Sequence, residues 1–494
     1  MKRASPGVAV LALALACASA PERKPPEFTV EAPPAWTAAP GAEPDTTGPP
    51  PVTDWWRGFA DARLDSLVEE ALAQNLDILA AAARVEAAAA TARAAGADLW
   101  PQLSAAARGS RTQSNIIGIP IPGAPEVIQS RSSSFGASLD LSWEIDLWGR
   151  VRKAKSAALA DAQASAADLA SARLSIAGQT AKAYFAVVEA RAQLRLAEAT
   201  VESFERSAEF VRRRYEEGVR PALDLRIALT TLAQSRALLE LRRQQMDAAT
   251  RGLEILLARY PAAAFSAGAE LPPVVGDVPA GLPADLLIRR PDLFAAERRY
   301  AASESRVGEA RRAFFPRITL TGSAGTLSND IEDLVDLDFG VWSIAAGLVQ
   351  PIFQGGRLRA NLARSHAAAD QALVAYVQAL LRAFGEVETA IVAEGALAER
   401  ARHLEEAALQ SEAAQGMAER QYVAGLVDYI TVLETQRQAL SSQIELITVR
   451  RQRLDARINL HLALGGGFDL TQDWRDFLDR TTNISQNSSP GGSR

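Results

Sequence analysis

The chain has 494 residues, of which 23% are charged and only 6% aromatic, and its formal net charge is −6. This charge balance gives no basic footprint, so nucleic acid is excluded as an expected partner. The many Ala, Glu, Arg and Leu residues favour long helices that pack closely against one another.

The N-terminus predicts export. Lys2 and Arg3 precede an apolar run at residues 8–16, which is too short for a membrane-spanning helix and is typical of a signal peptide. We therefore expect a signal peptide over residues 1–16. The next residue, Cys17, is the only cysteine, which excludes an internal disulfide and a paired-cysteine metal or redox site.

A cysteine directly after an apolar run resembles the lipobox of bacterial lipoproteins, whose new N-terminal cysteine is acylated, for example with palmitate. The resemblance implies that acylated Cys17 anchors the chain to a membrane. The alternative is cleavage after the small residues at 14–16, which leaves a free thiol. Residues 17–53 are rich in proline and predict an extended tether without its own core.

No other apolar run reaches about 18 residues free of charge, so the sequence predicts no transmembrane helix. If the protein crosses a membrane, it must therefore do so as part of a closed β-barrel.

The second half of the sequence repeats the first. The block at residues 100–104 (WPQLS) corresponds to residues 315–319 (FPRIT), 215 positions later. The block at 149–152 (GRVR) corresponds to 356–359 (GRLR), 207 positions later. The difference predicts a longer loop in the first copy, around residues 115–131, which is rich in Gly and Pro.

These offsets predict two repeats, each with the order helix, β-hairpin, very long helix, tight turn, helix. The predicted segments are repeat 1 at residues 54–260, a linker at 261–283, repeat 2 at 284–467, and a disordered tail at 468–494.

Each repeat contains helical periodicity without proline over nearly seventy residues, which is roughly 100 Å at 1.5 Å per residue. Such lengths imply coiled coils. We expect one first helix at about 61–96, long helices at 149–217 and 356–424, and their partner helices at 223–259 and 429–464. Gly218 and Gly425 then lie in the turns at the tips of two α-hairpins.

Between the helices the period changes to two, which predicts strands long enough to cross a membrane when tilted. Residues 135–147 alternate between apolar positions and small or polar ones. The wet face predicts lumen-facing residues at Asp140, Ser142, Glu144 and Asp146. An ordinary soluble sheet with one wet face is the alternative. Four strands per chain cannot enclose a lumen, so two, three or four chains must share one barrel.

Several blocks resemble the TolC-type outer-membrane efflux family, most closely its NodT- or OprM-like lipoprotein branch. Residues 142–150 (SWEIDLWGR) resemble the family's strand-to-helix block, and residues 289–292 (RRPD) resemble its second-copy signature. Further matching blocks are Trp55-Trp56, residues 313–316 (AFFP), residues 351–357 (PIFQGGR) and residues 463–467 (ALGGG).

This resemblance implies a homotrimer, mainly α with a membrane β portion, in which twelve strands form one outer-membrane barrel and the helices form a periplasmic tunnel. It also implies a periplasmic adaptor and an inner-membrane pump of the resistance-nodulation-division type. The exported molecules would be drugs, dyes or metals, in the envelope of a Gram-negative bacterium. An exit channel for type I protein secretion and a non-channel coiled-coil envelope protein remain as alternatives.

No motif in the sequence points to catalysis, a metal or a cofactor. His366, His403 and His461 are isolated from one another and from any nucleophile or phosphate-loop pattern. We therefore expect a protein that is not an enzyme.

The second tip, at residues 422–431 (YVAGLVDYIT), is the predicted gate. Gly425 suits the tight turn, and Asp428 matches the aspartate of the family's tip motif. Repeated around a trimer axis, Asp428 would form a negative ring that selects cations and helps close the channel. The alternative is that Asp428 caps the returning helix. Further candidates for tip contacts are Tyr422, Gly218, Arg220 and Asp224, with Arg214, Tyr215 and Arg420 as neighbours.

Overall fold

The structure is a computed structural model that describes residues 54–117, 127–266, 270–276 and 286–467, together with residues 26, 28, 33, 35–38, 268, 278 and 283. The predicted signal peptide, Cys17, the tail and most of the tether lie outside the described residues, as does part of the linker.

Two pairs of long helices dominate the described chain. Helix α3 (Arg150–Glu216) and helix α7 (Arg357–Val423) each contain 67 residues. Their partners, α4 (Ala222–Leu256) and α8 (Tyr429–Ala463), each contain 35 residues. The predicted α-hairpins are confirmed, with ends that differ from the prediction by no more than a few residues.

The first helix was predicted as one element and is two, α1 (Ala62–Gln74) and α2 (Leu76–Ala97). Asn75 adopts an extended backbone between them. Its side-chain oxygen accepts hydrogen bonds from the amides of Asp77 and Ile78, at 2.9 and 3.3 Å. Asn75 therefore acts as a cap that ends one helix and begins the next.

The four strands form one antiparallel sheet in the order β1-β2-β3-β4. They are β1 (Gln102–Ile117), β2 (Val127–Ile145), β3 (Arg317–Ser328) and β4 (Gly340–Val349). Strands β1 and β2 pair as far as Ile117 and Val127, so the loop predicted at 115–131 begins later and ends earlier. The four-residue helix α5 (Leu286–Arg289) and the 22-residue helix α6 (Pro291–Arg312) precede β3.

The described residues divide into two compact units. The sheet unit contains Glu86–Ala164 and Ala296–Ala375, and the hairpin unit contains Thr29–Val85, Ser165–Ala295 and Tyr376–Arg494 as far as these are described. Each unit contains segments of both predicted repeats. The units therefore do not test the repeat boundaries, which stay a prediction.

Within the described part of the chain, no helix is both long enough and apolar enough to span a membrane.

The hairpin unit has a core in which the residues after the tether pack against long helices. Trp55, Trp56 and Phe59 are buried with Tyr184 and Phe185, among other residues. The Tyr184 hydroxyl donates a hydrogen bond of 2.7 Å to an Asp61 carboxylate oxygen.

A second contact within this unit explains the residues of the RRPD block. Arg290 is 8% exposed and donates to Asp292 at 3.0 and 2.8 Å, to Glu386 at 2.7 Å and to the Ala463 carbonyl at 3.1 Å. It thereby satisfies a carbonyl that the end of α8 leaves without a helical partner. Directly after this end, Gly465 has φ +90°, and a Cβ there would lie 2.0 Å from the Arg289 carbonyl oxygen.

We predict that Gly465→Ala lowers the free energy of unfolding by about 2 kcal/mol or more, because positive φ and the backbone overlap both oppose a side chain. Thermal unfolding of the purified protein would measure this change. The control is Gly252→Ala in α4, where a Cβ meets nothing within 4 Å. Equal unfolding temperatures for the two variants would contradict the prediction.

Candidate functional site

The strand register places most of the apolar residues of the four strands on one face of the sheet. Directly paired residues of antiparallel strands point to the same face. One such row runs Leu103, Leu141, Gly322 and Ile344 across the sheet, and a second runs Ala105, Leu139, Ala324 and Trp342. We name this surface the apolar face. Its members are Leu103, Ala105, Ala107, Phe135, Ala137, Leu139, Leu141, Trp143, Ile145, Ile318, Leu320, Gly322, Ala324, Trp342, Ile344, Ala346 and Leu348.

The apolar face is limited in length. Along β2 it runs from Ile145 to Phe135, and the next pairs on this side are polar, Arg111 with Ser133 and Gln113 with Arg131. Ten residue steps at about 3.3 Å, tilted by about 40°, give a height of about 25 Å. This is the height of the apolar band on strands that span an outer membrane.

Three of the four residues predicted to face a lumen lie on the opposite face. Asp140 accepts hydrogen bonds from the hydroxyls of Ser138 at 2.9 Å and Ser323 at 2.7 Å. Ser142 pairs with Gln102 and Thr321 on this same polar face.

Glu144, also on the polar face, is joined to a helix rather than free. Its two carboxylate oxygens each accept from Arg150 at 3.0 Å. Arg150 lies at the start of α3 and also approaches Glu309 of α6 at 3.5 Å. The ion pairs therefore connect the polar face to the helices next to it.

The prediction for Asp146 as a strand residue is wrong. Strand β2 ends at Ile145, and Asp146 accepts hydrogen bonds from the amides of Val151 at 3.1 Å and Arg152 at 2.9 Å. Burial raises its pKa, but the bonds from Arg152 and Val151 outweigh burial and hold the pKa below its ordinary value. Asp146 satisfies amide groups at the start of α3, which is the work of an N-terminal cap.

Aromatic residues lie at the end of the sheet next to the helices. The Trp143 indole donates to the Leu99 carbonyl at 3.0 Å. Trp148 stacks on Phe315 with ring centroids 5.2 Å apart and donates to the Pro316 carbonyl at 2.8 Å. Indoles that combine an apolar ring with a bonded N–H are typical of a membrane–water boundary.

The two hairpin tips share one turn geometry. Gly218 has φ +72° and Gly425 has φ +76°. In the first tip the Val219 amide donates to Arg214 O at 2.9 Å, and in the second the Leu426 amide donates to Gln421 O at 2.9 Å. Both turns are therefore glycine-terminated Schellman motifs, which reverse the chain with few residues.

The tips contact each other through Arg220. Its guanidinium lies 4.9 Å from the centroid of the Tyr422 ring and 3.6 Å from an Asp428 carboxylate oxygen. Arg214 adds a hydrogen bond of 3.2 Å to the Val423 carbonyl. One arginine from each side of the first turn thus holds the second.

Asp428 occupies the cap position of α8, but its side chain makes no capping hydrogen bond. The carboxylate is 88% exposed, while its partner Arg220 is only 19% exposed. The alternative that this side chain caps the helix is therefore wrong, and Asp428 presents an accessible charge instead. Asp224 lies in the first turn of α4, where a negative charge is favourable.

Sequence reasoning missed the apolar cluster beneath the tips. Tyr429 and Tyr422 pack 5.6 Å apart, and Phe210 lies 5.9 Å from Tyr422. Burial, with smaller effects of Tyr422 and Asp224, raises the pKa of Tyr429 to about 12. The Tyr422 hydroxyl is buried without a partner among the described residues. Both tyrosines lie in the predicted gate segment at residues 422–431, but the sequence alone does not show that they pack together.

The histidines do not come together. His461 stacks on Trp55 at 5.3 Å, and burial followed by the charge of Arg457 lowers its pKa to about 4. In the described ranges, no group of three or more His, Cys, Asp or Glu residues is placed to hold a metal ion.

Most of this chain is similar in sequence to known outer membrane proteins. A family model, the outer membrane efflux protein, matches residues 67–259 and 282–466. The Pseudomonas aeruginosa outer membrane protein OprJ is 35% identical over 95% of this chain and 97% of its own length. The Pseudomonas putida solvent efflux pump outer membrane protein SrpC is 33% identical over 84% of this chain and 87% of its own.

Solved structures of outer membrane channels share the fold of this chain. The Campylobacter jejuni CmeC outer membrane channel superposes with a TM-score of 0.85 at 25% identity, covering 94% of this chain and 98% of that one. The described hairpins and four-stranded sheet are thus those of an outer-membrane channel subunit. The chain belongs to the outer membrane efflux protein family.

Proposed function

We propose that this chain is the outer-membrane exit duct of a tripartite efflux pump, and that small molecules pass through it from the pump to the exterior. The observation that carries the proposal is the apolar face, about 25 Å high, backed by a polar face with Asp140 and Ser142. The relatives support efflux rather than protein secretion, because SrpC is named as part of a solvent efflux pump.

The unpaired edges of the sheet support assembly into a homotrimer. Strands β1 and β4 each have a neighbour on one side only. An unpaired strand edge within lipid leaves backbone groups unsatisfied, so β1 of one copy must pair with β4 of the next. Three copies give twelve strands, with the polar faces and Asp140, Ser142 and Glu144 lining a lumen.

The tips form the gate in this proposal. The contacts of Arg220 with Tyr422 and Asp428 hold the two hairpin turns together in the resting state. Docking of a periplasmic adaptor would separate them and widen the aperture. The chain itself makes and breaks no covalent bond, since conduction needs only a wet path.

The partners follow the family resemblance. The adaptor would link the duct to an inner-membrane transporter of the resistance-nodulation-division type, and drugs, dyes or metals would be the cargo. A relative from Pseudomonas aeruginosa is named for pyoverdine export and others for toluene or solvent efflux, so the family carries chemically different molecules. Acylated Cys17 would anchor the chain to the outer membrane.

Single-channel conductance in a planar bilayer tests the gate. We predict that Arg220→Gln and Asp428→Asn each raise the open probability about tenfold. An exposed ion pair contributes about 0.5 kcal/mol per chain, and three copies act on one aperture, so about 1.5 kcal/mol is lost. The double variant should add little to Arg220→Gln, because that change already removes the contact with Asp428.

The matched control for the gate is Glu412→Gln, an exposed carboxylate of α7 with no partner among the described residues. If Arg220→Gln behaves like this control, the gate assignment fails while the duct proposal stands. If the unmodified protein forms no channel, the duct proposal itself fails.

The apolar face gives a second prediction. Ile344→Arg should lower the amount of assembled protein in the outer membrane, because arginine at mid-bilayer on the lipid side costs about 2–4 kcal/mol per chain. Ser343→Arg, one position along the same strand, points to the polar face and should be tolerated. Quantitative immunoblots of outer-membrane fractions compare the two variants, and equal losses would contradict the assigned faces.

A further inference from the structure

A cavity of about 500 Å³ lies in the sheet unit, where helix α6 approaches the sheet. Its lining includes Trp148, Tyr300, Glu304, Arg311, Arg312 and His366. None of these residues belongs to the proposed gate or to the lumen-facing set. The cavity is therefore a feature that conduction does not use.

Three charged side chains of this cavity, Arg311, Arg312 and Glu304, form no ion pair within the described part of the chain. Arg312 donates to the Trp148 carbonyl at 2.8 Å and the Gly308 carbonyl at 3.1 Å, which orients the guanidinium without neutralising it. Within the described ranges, the side chains of Arg311 and Glu304 form no hydrogen bond or ion pair. His366 has a buried ring nitrogen, Nε2, that is also unpaired there. The site thus contains two guanidinium groups, the Glu304 carboxylate and one imidazole nitrogen without a hydrogen-bond partner among the described residues.

Two charged residues of the cavity, Arg311 and Glu304, project from α6 away from the polar face of the sheet. On α6, Glu309 points to Arg150, which binds Glu144 on the polar face. Each residue turns a helix by about 100°, so Arg311 and Glu304 point about 200° and 140° away from Glu309. They therefore lie on the side of the helix opposite Glu309, beside the stacked rings of Trp148 and Phe315. Arg312 points closer to Glu309 and is held at the cavity by its hydrogen bond to the Trp148 carbonyl. In the proposed barrel, the side away from the polar face is the lipid side.

In the proposed trimer, the edges at which copies join lie away from this cavity. Helix α6 has α3 on one side, through the ion pair of Arg306 with Asp161, and α7 on the other, where Val307 packs against Leu362 and Ala369. The cavity is thus in the middle of the helices of one chain, whereas copies join at the outer strands β1 and β4. A ligand from the membrane has access instead.

The geometry points to a site for a zwitterionic phospholipid headgroup, with a phosphate and a terminal primary ammonium, and this assignment rests on the proposed membrane location of the sheet. The phosphate would bind Arg311 and Arg312 beside the strand ends, since arginine matches phosphate in charge and geometry. Glu304 lies two helical turns farther from the strands and would bind the ammonium. Tyr300 and Asp370 line the same end of the cavity, and Asp370 has a partner of its own.

Native mass spectrometry of the purified full-length channel tests this site, with phosphatidylethanolamine, phosphatidylglycerol and phosphatidylcholine added in equal amounts. We expect phosphatidylethanolamine to be retained preferentially. Arg311→Gln should weaken retention of all three lipids about tenfold, the effect of losing a charge-assisted hydrogen bond to the phosphate that they share. Glu304→Gln should weaken retention of phosphatidylethanolamine alone. Arg93→Gln, an exposed arginine of α2 outside the cavity, is the control and should change nothing.

Equal retention of the three lipids by the unmodified protein, or equal behaviour of Arg311→Gln and Arg93→Gln, would overturn the assignment. Displacement of the lipid by inorganic phosphate would also overturn it, since the site would then take free phosphate. Conductance of the same samples separates the two proposals. A conducting channel without selective lipid retention contradicts the headgroup site alone, and a protein that does not conduct contradicts the duct.

Discussion

The two unpaired edges of the sheet are the constraint on which the rest of the structure depends. Four antiparallel strands with one apolar face expose that face on one side and leave the backbone groups of β1 and β4 unsatisfied on the other two. Copies of the same chain remove this cost by pairing edge to edge. The apolar face can then contact lipid, and the polar face with Asp140 and Ser142 remains in water.

At the hairpin tips, a few residues reverse the long helices and join the two turns. Two glycines at positive φ reverse the long helices, and Arg220 reaches from the first turn to the second. The ion pair with Asp428 is exposed and weak, whereas the tyrosines beneath it are buried. In the proposed gate, this exposed contact would hold the resting state and a docking partner would break it, whereas a fully buried ion pair would resist such a change.

The periodic elements were predictable from the sequence, and the contacts of individual side chains were not. Periodicity predicted the long helices and the alternation along β2, because both depend on neighbouring residues. The break at Asn75 and the capping role of Asp146 depend on which amides a side chain reaches. Their residue types suited loops, strands or caps equally well.

Similarly, no sequence pattern pairs Arg220 with Tyr422, because two long helices must first fold back and pack side by side. The cavity near Arg311 depends on the same kind of packing. Its residues come from α6, from α7 and from the turn before α3, and each alone has the composition of an ordinary helix surface. Charges without partners become visible only when the surrounding contacts are known.

Accumulation of a fluorescent efflux dye tests the central claim most directly. Cells that lack this gene would be compared with the same cells carrying a plasmid copy of either the unmodified gene or the Ile344→Arg variant. An exit duct predicts higher dye accumulation without the gene, reversal by the unmodified copy and no reversal by the variant. Reversal by both copies would contradict a duct that depends on the apolar face of its sheet.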